Sequence, residues 1–274
     1  MKKREFLGNN NEDFYENFFE NKNYISYRYD VGSYCTRKLL IENISKKTGN
    51  LLEIGTGISS ILQDINNFNL YGIDFSKKAT DFTSNLFKKI GKKANIIQGN
   101  AEKLPYPNNF FDVIISSHTL EHIKNDLNAL KECSRTLKKN GELILFVPGR
   151  ISGIATQKEF SNLGHYRYYN LKKFKQLEKS TNNSLKLCSI KYPHKIHNLI
   201  WNKFKKIFRY INYPIKKILK DNKGYEERKI YQKILLPILS RILNKLDNFT
   251  INSEKNLFGV EFNVLTIFKK ISQF

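Results

Sequence analysis

Two glycines stand one residue apart in Leu51-Leu52-Glu53-Ile54-Gly55-Thr56-Gly57, directly after an apolar run. Glycine at such a bend lets the backbone turn tightly and leaves room for a ligand against the main chain. Asp74 follows Gly57 by 17 residues, at the end of a second apolar run, Tyr71-Gly72-Ile73. A carboxylate at a strand end can accept hydrogen bonds from both hydroxyls of a ribose. The competing reading of Asp74 is an acid opening a helix ahead of Ser76. Two histidines offer proton transfer near neutral pH. His118 lies in Ser116-Ser117-His118-Thr119-Leu120-Glu121-His122, and His165 in Gly164-His165-Tyr166-Arg167-Tyr168-Tyr169. Both are candidate bases; for His118 the alternative is merely lining a pocket, and His122 is read as packing beside Glu121. Extended spacing puts His165, Arg167 and Tyr169 on one side of the chain. An imidazole, a guanidinium and a phenol together suit a polar or anionic acceptor. The alternative is an anchored loop leading into a helix at Asn170.

These residues need a scaffold, and the hydrophobic pattern supplies one. Helical spacing of Phe14, Tyr15, Phe18 and Phe19 and a second helix over 34–44 make 1–48 an N-terminal helical cap. From residue 50 strands and helices alternate: strands at 50–54, 70–73, 94–98, 111–116 and 142–147, with helices at 59–66, 77–90 and 126–137 between them. A helix at 171–179 and strands at 184–192 and 260–268 follow. Such alternation implies βαβ units and a parallel sheet, and near-continuous apolar strands imply a sheet covered on both faces. The expected fold is therefore α/β: a Rossmann-like, mostly parallel seven-stranded sheet with helices on both faces. Residues 49–193 form its core, 194–256 a helical insertion before the last strand, and 257–274 the strand that completes it.

Several segments in this order carry a resemblance. The chain resembles the class I S-adenosylmethionine-dependent methyltransferases over 51–149, especially the small-molecule group with the ubiquinone-biosynthesis type of domain. Glu53-x-Gly55-x-Gly57 resembles the family's first motif and Asp74 its ribose-binding acid. Gly99-Asn100-Ala101-Glu102-Lys103-Leu104-Pro105-Tyr106, with Phe110-Phe111-Asp112-Val113-Ile114 after it, resembles the adenine-side loop and fourth strand. Lys131-Glu132 through Leu137-Lys138-Lys139-Asn140-Gly141-Glu142-Leu143 resembles the following helix, turn and fifth strand. The resemblance implies S-adenosylmethionine as cofactor, bordered by Glu53, Gly55, Thr56, Gly57, Asp74, Phe75, Asn100, Ala101, Glu102 and Ser117. Two departures are mild: Ser59 stands where the family often has a third glycine, and Asn100 where it usually has Asp. Asn100 keeps an oxygen able to accept from an adenine amino group. A dinucleotide site fits less well, because a pyrophosphate calls for G-x-G-x-x-G and position 60 is serine.

Methyl transfer from a sulfonium mainly requires alignment of acceptor and methyl, with a general base where the acceptor is a hydroxyl. Amino-directed methyltransferases of nucleic acids resemble one another in an Asn/Asp-Pro-Pro-aromatic turn after the fourth strand, where this chain has Ser116-Ser117-His118. Cys133 falls mid-helix, which disfavours a thiolate nucleophile. The reading is O-methylation of a small-molecule, sugar or lipid-linked glycan acceptor, with Arg167 and Tyr169 as substrate residues. The alternative is a non-catalytic lipid- or RNA-binding protein on a methyltransferase-like fold.

The 274 residues carry a formal net charge of +22. That suits an anionic partner, although Lys, Asn and Ile enrichment together also fits a compositional bias. Charge is concentrated in 195–220, which holds eight Lys or Arg and no Asp or Glu. Ile196, Leu199, Ile200, Phe204, Ile207, Phe208 and Ile211 repeat there at helical spacing until Pro214. A second apolar stripe covers 226–246. The pair reads as a cap over the site, a membrane-surface element meeting anionic lipid, or both, with nucleic acid less favoured. Cys35, Cys133 and Cys188 show neither a disulfide framework nor metal-ligand spacing, so no metal is expected. Without a signal peptide or a run of about 20 apolar residues, the expected location is cytoplasmic, with the inner membrane face as a peripheral site.

Overall fold

The computed structural model describes residues 31–193, Ile238, Arg241 and 262–271. The 1–30 part of the expected cap, the basic segment 195–220 and nearly all of 226–246 lie outside the described residues. Seven strands form one sheet: β1 (Gly49–Ile54), β2 (Phe68–Asp74), β3 (Asn95–Gln98), β4 (Phe111–Ser117), β5 (Leu137–Gly149), β6 (Leu185–Lys191) and β7 (Phe262–Lys270). Their order is β3-β2-β1-β4-β5-β7-β6. The first five are parallel, and β7 runs antiparallel to both β5 and β6. The Rossmann-like expectation holds, with β7 returning against the common direction.

The apolar strands serve two cores at once. Leu51, Val113, Ile115, Ile144 and Phe146 face one cluster; Leu52, Ile114, Leu143, Leu145 and Val147 face the other. Successive side chains alternate across the pleat, so a strand buried on both faces must be apolar at nearly every position. On the first face lie Leu40 of α1 (Val31–Glu42), Ile61 and Leu62 of a 3-10 turn, and Phe87 of α2 (Lys77–Lys89). On the second lie Ala129, Leu130 and Cys133 of α3 (Asp126–Thr136) and Phe174 and Leu177 of α5 (Leu171–Ser180).

Two elements depart from expectation. The helix expected at 59–66 is a single 3-10 turn, Ile61–Asp64, because β2 resumes at Phe68 and Asn67 adopts a left-handed φ of 64°. A short helix, α4 (Gln157–Leu163), appears where none was expected. Its Thr156 and Glu159 make a reciprocal capping box and Gly164 ends it with φ 72°. Burial pushes the Cys133 thiol up to about 12, which removes it as a nucleophile. No helix among the described residues is long and apolar enough to cross a membrane.

The antiparallel end of the sheet is held by stacked rings. Phe174 is fully buried, with its centroid 5.3 Å from Tyr169 and 6.0 Å from Phe268. Phe174→Ala is expected to cost about 3–5 kcal/mol of stability, the usual range for a buried phenylalanine. Urea unfolding monitored by circular dichroism reads this directly; a loss below about 1 kcal/mol contradicts the packing described.

Candidate functional site

β1 lies between β2 and β4, and all three run in the same direction. Ligands of open α/β sheets bind beyond the strand C-termini at this switch in strand order. Gly55, the first residue after β1, has φ 80° and donates its amide to the Ile73 carbonyl at 2.8 Å. A Cβ built there would sit 2.0 Å from Thr119 Oγ1, so the missing side chain admits the segment after β4. Gly57 also has positive φ, 48°, and its amide donates to Asp74 Oδ2 at 2.8 Å. Asp74 Oδ1 accepts from the Ser76 amide at 3.0 Å, and its own carbonyl accepts from Gly99 at 2.9 Å. The carboxylate thus sits where β1, β2 and β3 end together. Asp74 supports the N-cap Ser76 of α2 and borders the glycine bend.

This corner fits S-adenosylmethionine. A carboxylate offers about four acceptor sites, enough to serve backbone amides and ribose hydroxyls together. Thr56 Oγ1 and Ser59 Oγ are buried beside the bend without a hydrogen-bond partner among the described residues, which favours a polar ligand there. Phe75 presents an exposed ring next to Asp74 for a planar base. Other expected cofactor residues shape the corner instead. Glu53 is buried, and its carboxylate accepts the Ile61 amide at 3.0 Å and the Ser60 hydroxyl, pinning the turn after Gly57. Asn100 Oδ1, expected to face an adenine amino group, accepts the Glu102 amide at 2.8 Å. Glu102 reaches across to the Asn125 amide at 3.0 Å, and Ala101 joins the core. The Ser117 carbonyl accepts the Thr119 hydroxyl at 3.1 Å, holding that side chain against Gly55.

Beyond β4 the chain gathers its imidazoles. His118 adopts φ 50°, a left-handed conformation costly for a non-glycine residue, and its amide donates to the Phe146 carbonyl at 2.8 Å. Its side chain is 47% exposed and its Nδ1 stands 3.4 Å from Oε1 of Glu121, which is fully buried. That separation is an ion-pair contact, longer than an ordinary hydrogen bond. Burial pushes the Glu121 carboxyl up, but His118 and His122 outweigh it and hold it below the ordinary glutamate value. Burial also lowers His122, against the pull of Glu121 and the Gly164 carbonyl. Glu121 and His122 therefore pull on each other's protons across a buried contact of 3.8 Å. Sequence reasoning passed over Glu121 as a functional group; its signal was an acid set between two histidines just past a strand end.

His165, Arg167 and Tyr169 do share one side of the chain, but that side grips the segment after β4. The His165 ring lies 4.9 Å from that of His122. Arg167 donates to the carbonyls of Ile123 and Lys124. Tyr169 is fully buried and donates its hydroxyl to the Leu120 carbonyl at 3.1 Å and Asp126 at 3.2 Å. Between them the Tyr166 amide donates to the Glu121 carbonyl at 2.9 Å. Residues 164–169 are therefore a clamp on 120–126, and the polar groups of Arg167 and Tyr169, expected to meet substrate, are engaged by the Leu120, Ile123 and Lys124 carbonyls and by Asp126. Tyr169→Phe is expected to lower stability by about 1–2 kcal/mol while changing S-adenosylhomocysteine affinity less than about threefold. Thermal unfolding and calorimetry read the two effects; an affinity loss with unchanged stability contradicts the clamp.

Comparison with known proteins agrees with this geometry. Residues 52–145 match the family described as "Methyltransferase domain". The ubiquinone/menaquinone biosynthesis C-methyltransferase of Coxiella burnetii is 41% identical over 56 residues, 20% of this chain and 22% of that protein. Phosphoethanolamine N-methyltransferase 2 of Haemonchus contortus, solved with S-adenosyl-L-methionine, superposes with a TM-score of 0.58 at 18% identity, covering 94% of this chain and 56% of the other. A [4+2]-cyclase gives a TM-score of 0.58 at 15% identity, covering 87% and 81%. At these identities the structural likeness shows the fold. The matched regions span about a fifth to a half of the length of the curated relatives. With the motif order and the 3-2-1-4-5-7-6 sheet, residues 52–145 form a methyltransferase domain on a Rossmann-like fold, and their glycine–aspartate corner fits S-adenosylmethionine.

Proposed function

We propose that this chain is an S-adenosylmethionine-dependent methyltransferase that methylates a hydroxyl of a small-molecule, sugar or lipid-linked glycan acceptor. The observation that carries the reading is the contact between the Gly57 amide and Asp74 at the switch point of the sheet. When bound, the cofactor supplies a methyl group on a cationic sulfur whose departure is neutral. The chain's contribution is placement: Asp74 accepts from the ribose hydroxyls, and the bend at Gly55 and Gly57 gives the ligand access to backbone. His118, half exposed at the end of β4, takes the proton of the acceptor hydroxyl as its oxygen forms the new bond to carbon. Relatives and fold neighbours include carbon and nitrogen methyltransferases, so the acceptor atom is not inherited from them; the imidazole supports oxygen. The basic segment 195–220 supports, from its sequence, an acceptor met at an anionic membrane surface.

Two measurements test the proposal. Calorimetry with S-adenosylhomocysteine is expected to show binding by the full chain, about 10–100-fold weaker in Asp74→Asn, consistent with loss of a charged acceptor. Transfer of radiolabelled methyl from S-adenosylmethionine into fractionated lipid and glycan extracts of the source cell is expected to fall about 10²–10⁴-fold in His118→Ala, with S-adenosylhomocysteine affinity kept. A chain that binds the nucleoside but labels no fraction is a binding protein, which defeats the enzymatic reading. Because the fold also carries a cyclase, the decisive readout is the transferred methyl. For the membrane surface, flotation with anionic but not neutral liposomes is expected; equal flotation, or none, counts against it.

A further inference from the structure

We propose that Glu121 is a positioning residue that acts through His118: its buried carboxylate receives the Nδ1 proton of the ring and leaves Nε2 with the lone pair that takes the acceptor proton. The inference rests on His118 being the base of the proposed reaction and adds the group that orients it.

The described groups around Glu121 narrow its partner to His118. A carboxylate removed from water needs a compensating donor or cation, yet neither oxygen accepts a well-aligned hydrogen bond from a described residue. Four polar side chains come near it: His118, His122, His165 and Tyr169. The Nδ1 of His122 lies 3.2 Å from the Gly164 carbonyl. A carbonyl only accepts, so His122 donates to it through Nδ1, and its Nε2 stands 3.8 Å from Glu121, beyond hydrogen-bond distance. The Tyr169 hydroxyl is committed to Leu120 and Asp126. His165 is packed against the rings of His122 and Tyr168. His118 makes the shorter of the two described ion-pair contacts with Glu121, 3.4 Å against 3.8 Å for His122, and its side chain is 47% exposed.

The backbone holds both partners in this arrangement. His118 keeps a left-handed φ of 50° that its surroundings must enforce, and its amide is fixed to Phe146 on β5. Its ring also meets that of Phe146 edge-on at 5.2 Å. Glu121 is fixed through its carbonyl by Tyr166 of the clamp. A small closing movement when the site fills would shorten 3.4 Å to a hydrogen bond, as catalytic pairs commonly do. The arrangement repeats the logic of a buried acid that fixes the tautomer of a catalytic imidazole.

The test reads tautomer and catalysis separately. Long-range proton–nitrogen NMR of the full chain at about pH 8.5, above the ordinary histidine range, is expected to show His118 protonated on Nδ1. An imidazole in water prefers Nε2, so the signature is distinctive. Glu121→Leu is expected to return His118 to the Nε2 form and to lower labelled methyl transfer about 10²–10⁴-fold, with S-adenosylhomocysteine affinity unchanged. Glu121→Gln, which keeps an acceptor oxygen of similar shape, is expected to recover part of both. In a His118→Ala background Glu121→Leu should cost nothing further. An Nε2-protonated His118 in the native chain overturns the inference without any variant. Additive losses in the double variant, or a tautomer fixed only after adding Zn²⁺ or Mg²⁺ to the group of Glu121, His122 and His165, whose ligand atoms lie within 4.8 Å of one another, overturn it too. Failure of the native chain to bind S-adenosylhomocysteine instead defeats the methyltransferase reading, and the NMR result tells the two failures apart.

Discussion

One hydrogen bond organises the active corner of this domain: the Gly57 amide donating to the carboxylate of Asp74. It joins the bend after β1 to the end of β2 and so fixes the distance between two strands' loops. The same carboxylate caps α2 through Ser76, and the Asp74 carbonyl receives Gly99 from the end of β3. Three parallel strands thus deliver their C-termini to one buried anion. A buried acid is tolerable only when amides or hydroxyls satisfy it, so the sheet must keep its register for the corner to exist. The two-sided core keeps that register, because a one-residue slip of β1 or β4 would send each core face to the wrong side.

The second anion, Glu121, is satisfied differently. Asp74 is met by backbone amides, whereas Glu121 is met by rings that can themselves exchange protons. The contrast matches two tasks. A group that grips a neutral sugar benefits from a fixed environment; a group that tunes a base needs a partner whose proton is mobile. The clamp from Gly164 to Tyr169 serves the second task by immobilising the backbone on which both His118's partner and His122 are carried. It holds the main-chain carbonyls of Leu120, Ile123 and Lys124 as well as the carboxylate of Asp126.

Much of this was legible in the residues. The central strands were near-continuous apolar runs, as a doubly covered sheet requires, and Gly55, Gly57 and Asp74 announced the corner by type and spacing. What escaped reading was what each polar side chain would do with its lone pairs. Glu53 and Asn100 matched a motif, yet their oxygens are taken by Ile61 and Glu102 at short range, a competition that spacing alone does not decide. Arg167 and Tyr169 were rightly placed on one side, but which neighbour that side would meet depended on a contact with 120–126 over 40 residues away in sequence. Thr156 and Glu159 did spell a capping box, so α4 was readable and was overlooked. The 3-10 turn at 61–64 was harder, because Ile58 to Leu62 reads apolar and helical until the short distance to β2 is imposed.

The central claim is that Asp74 and the bend at 55–57 form one nucleoside site. A crystal structure of the chain with S-adenosylhomocysteine tests it most directly. The account predicts the ribose hydroxyls within hydrogen-bond distance of the Asp74 carboxylate, the ligand lying over Gly55 and Gly57, and His118 at the edge of the space left for an acceptor. A nucleoside seated elsewhere, or Asp74 turned away with side chains filling the bend, would contradict it.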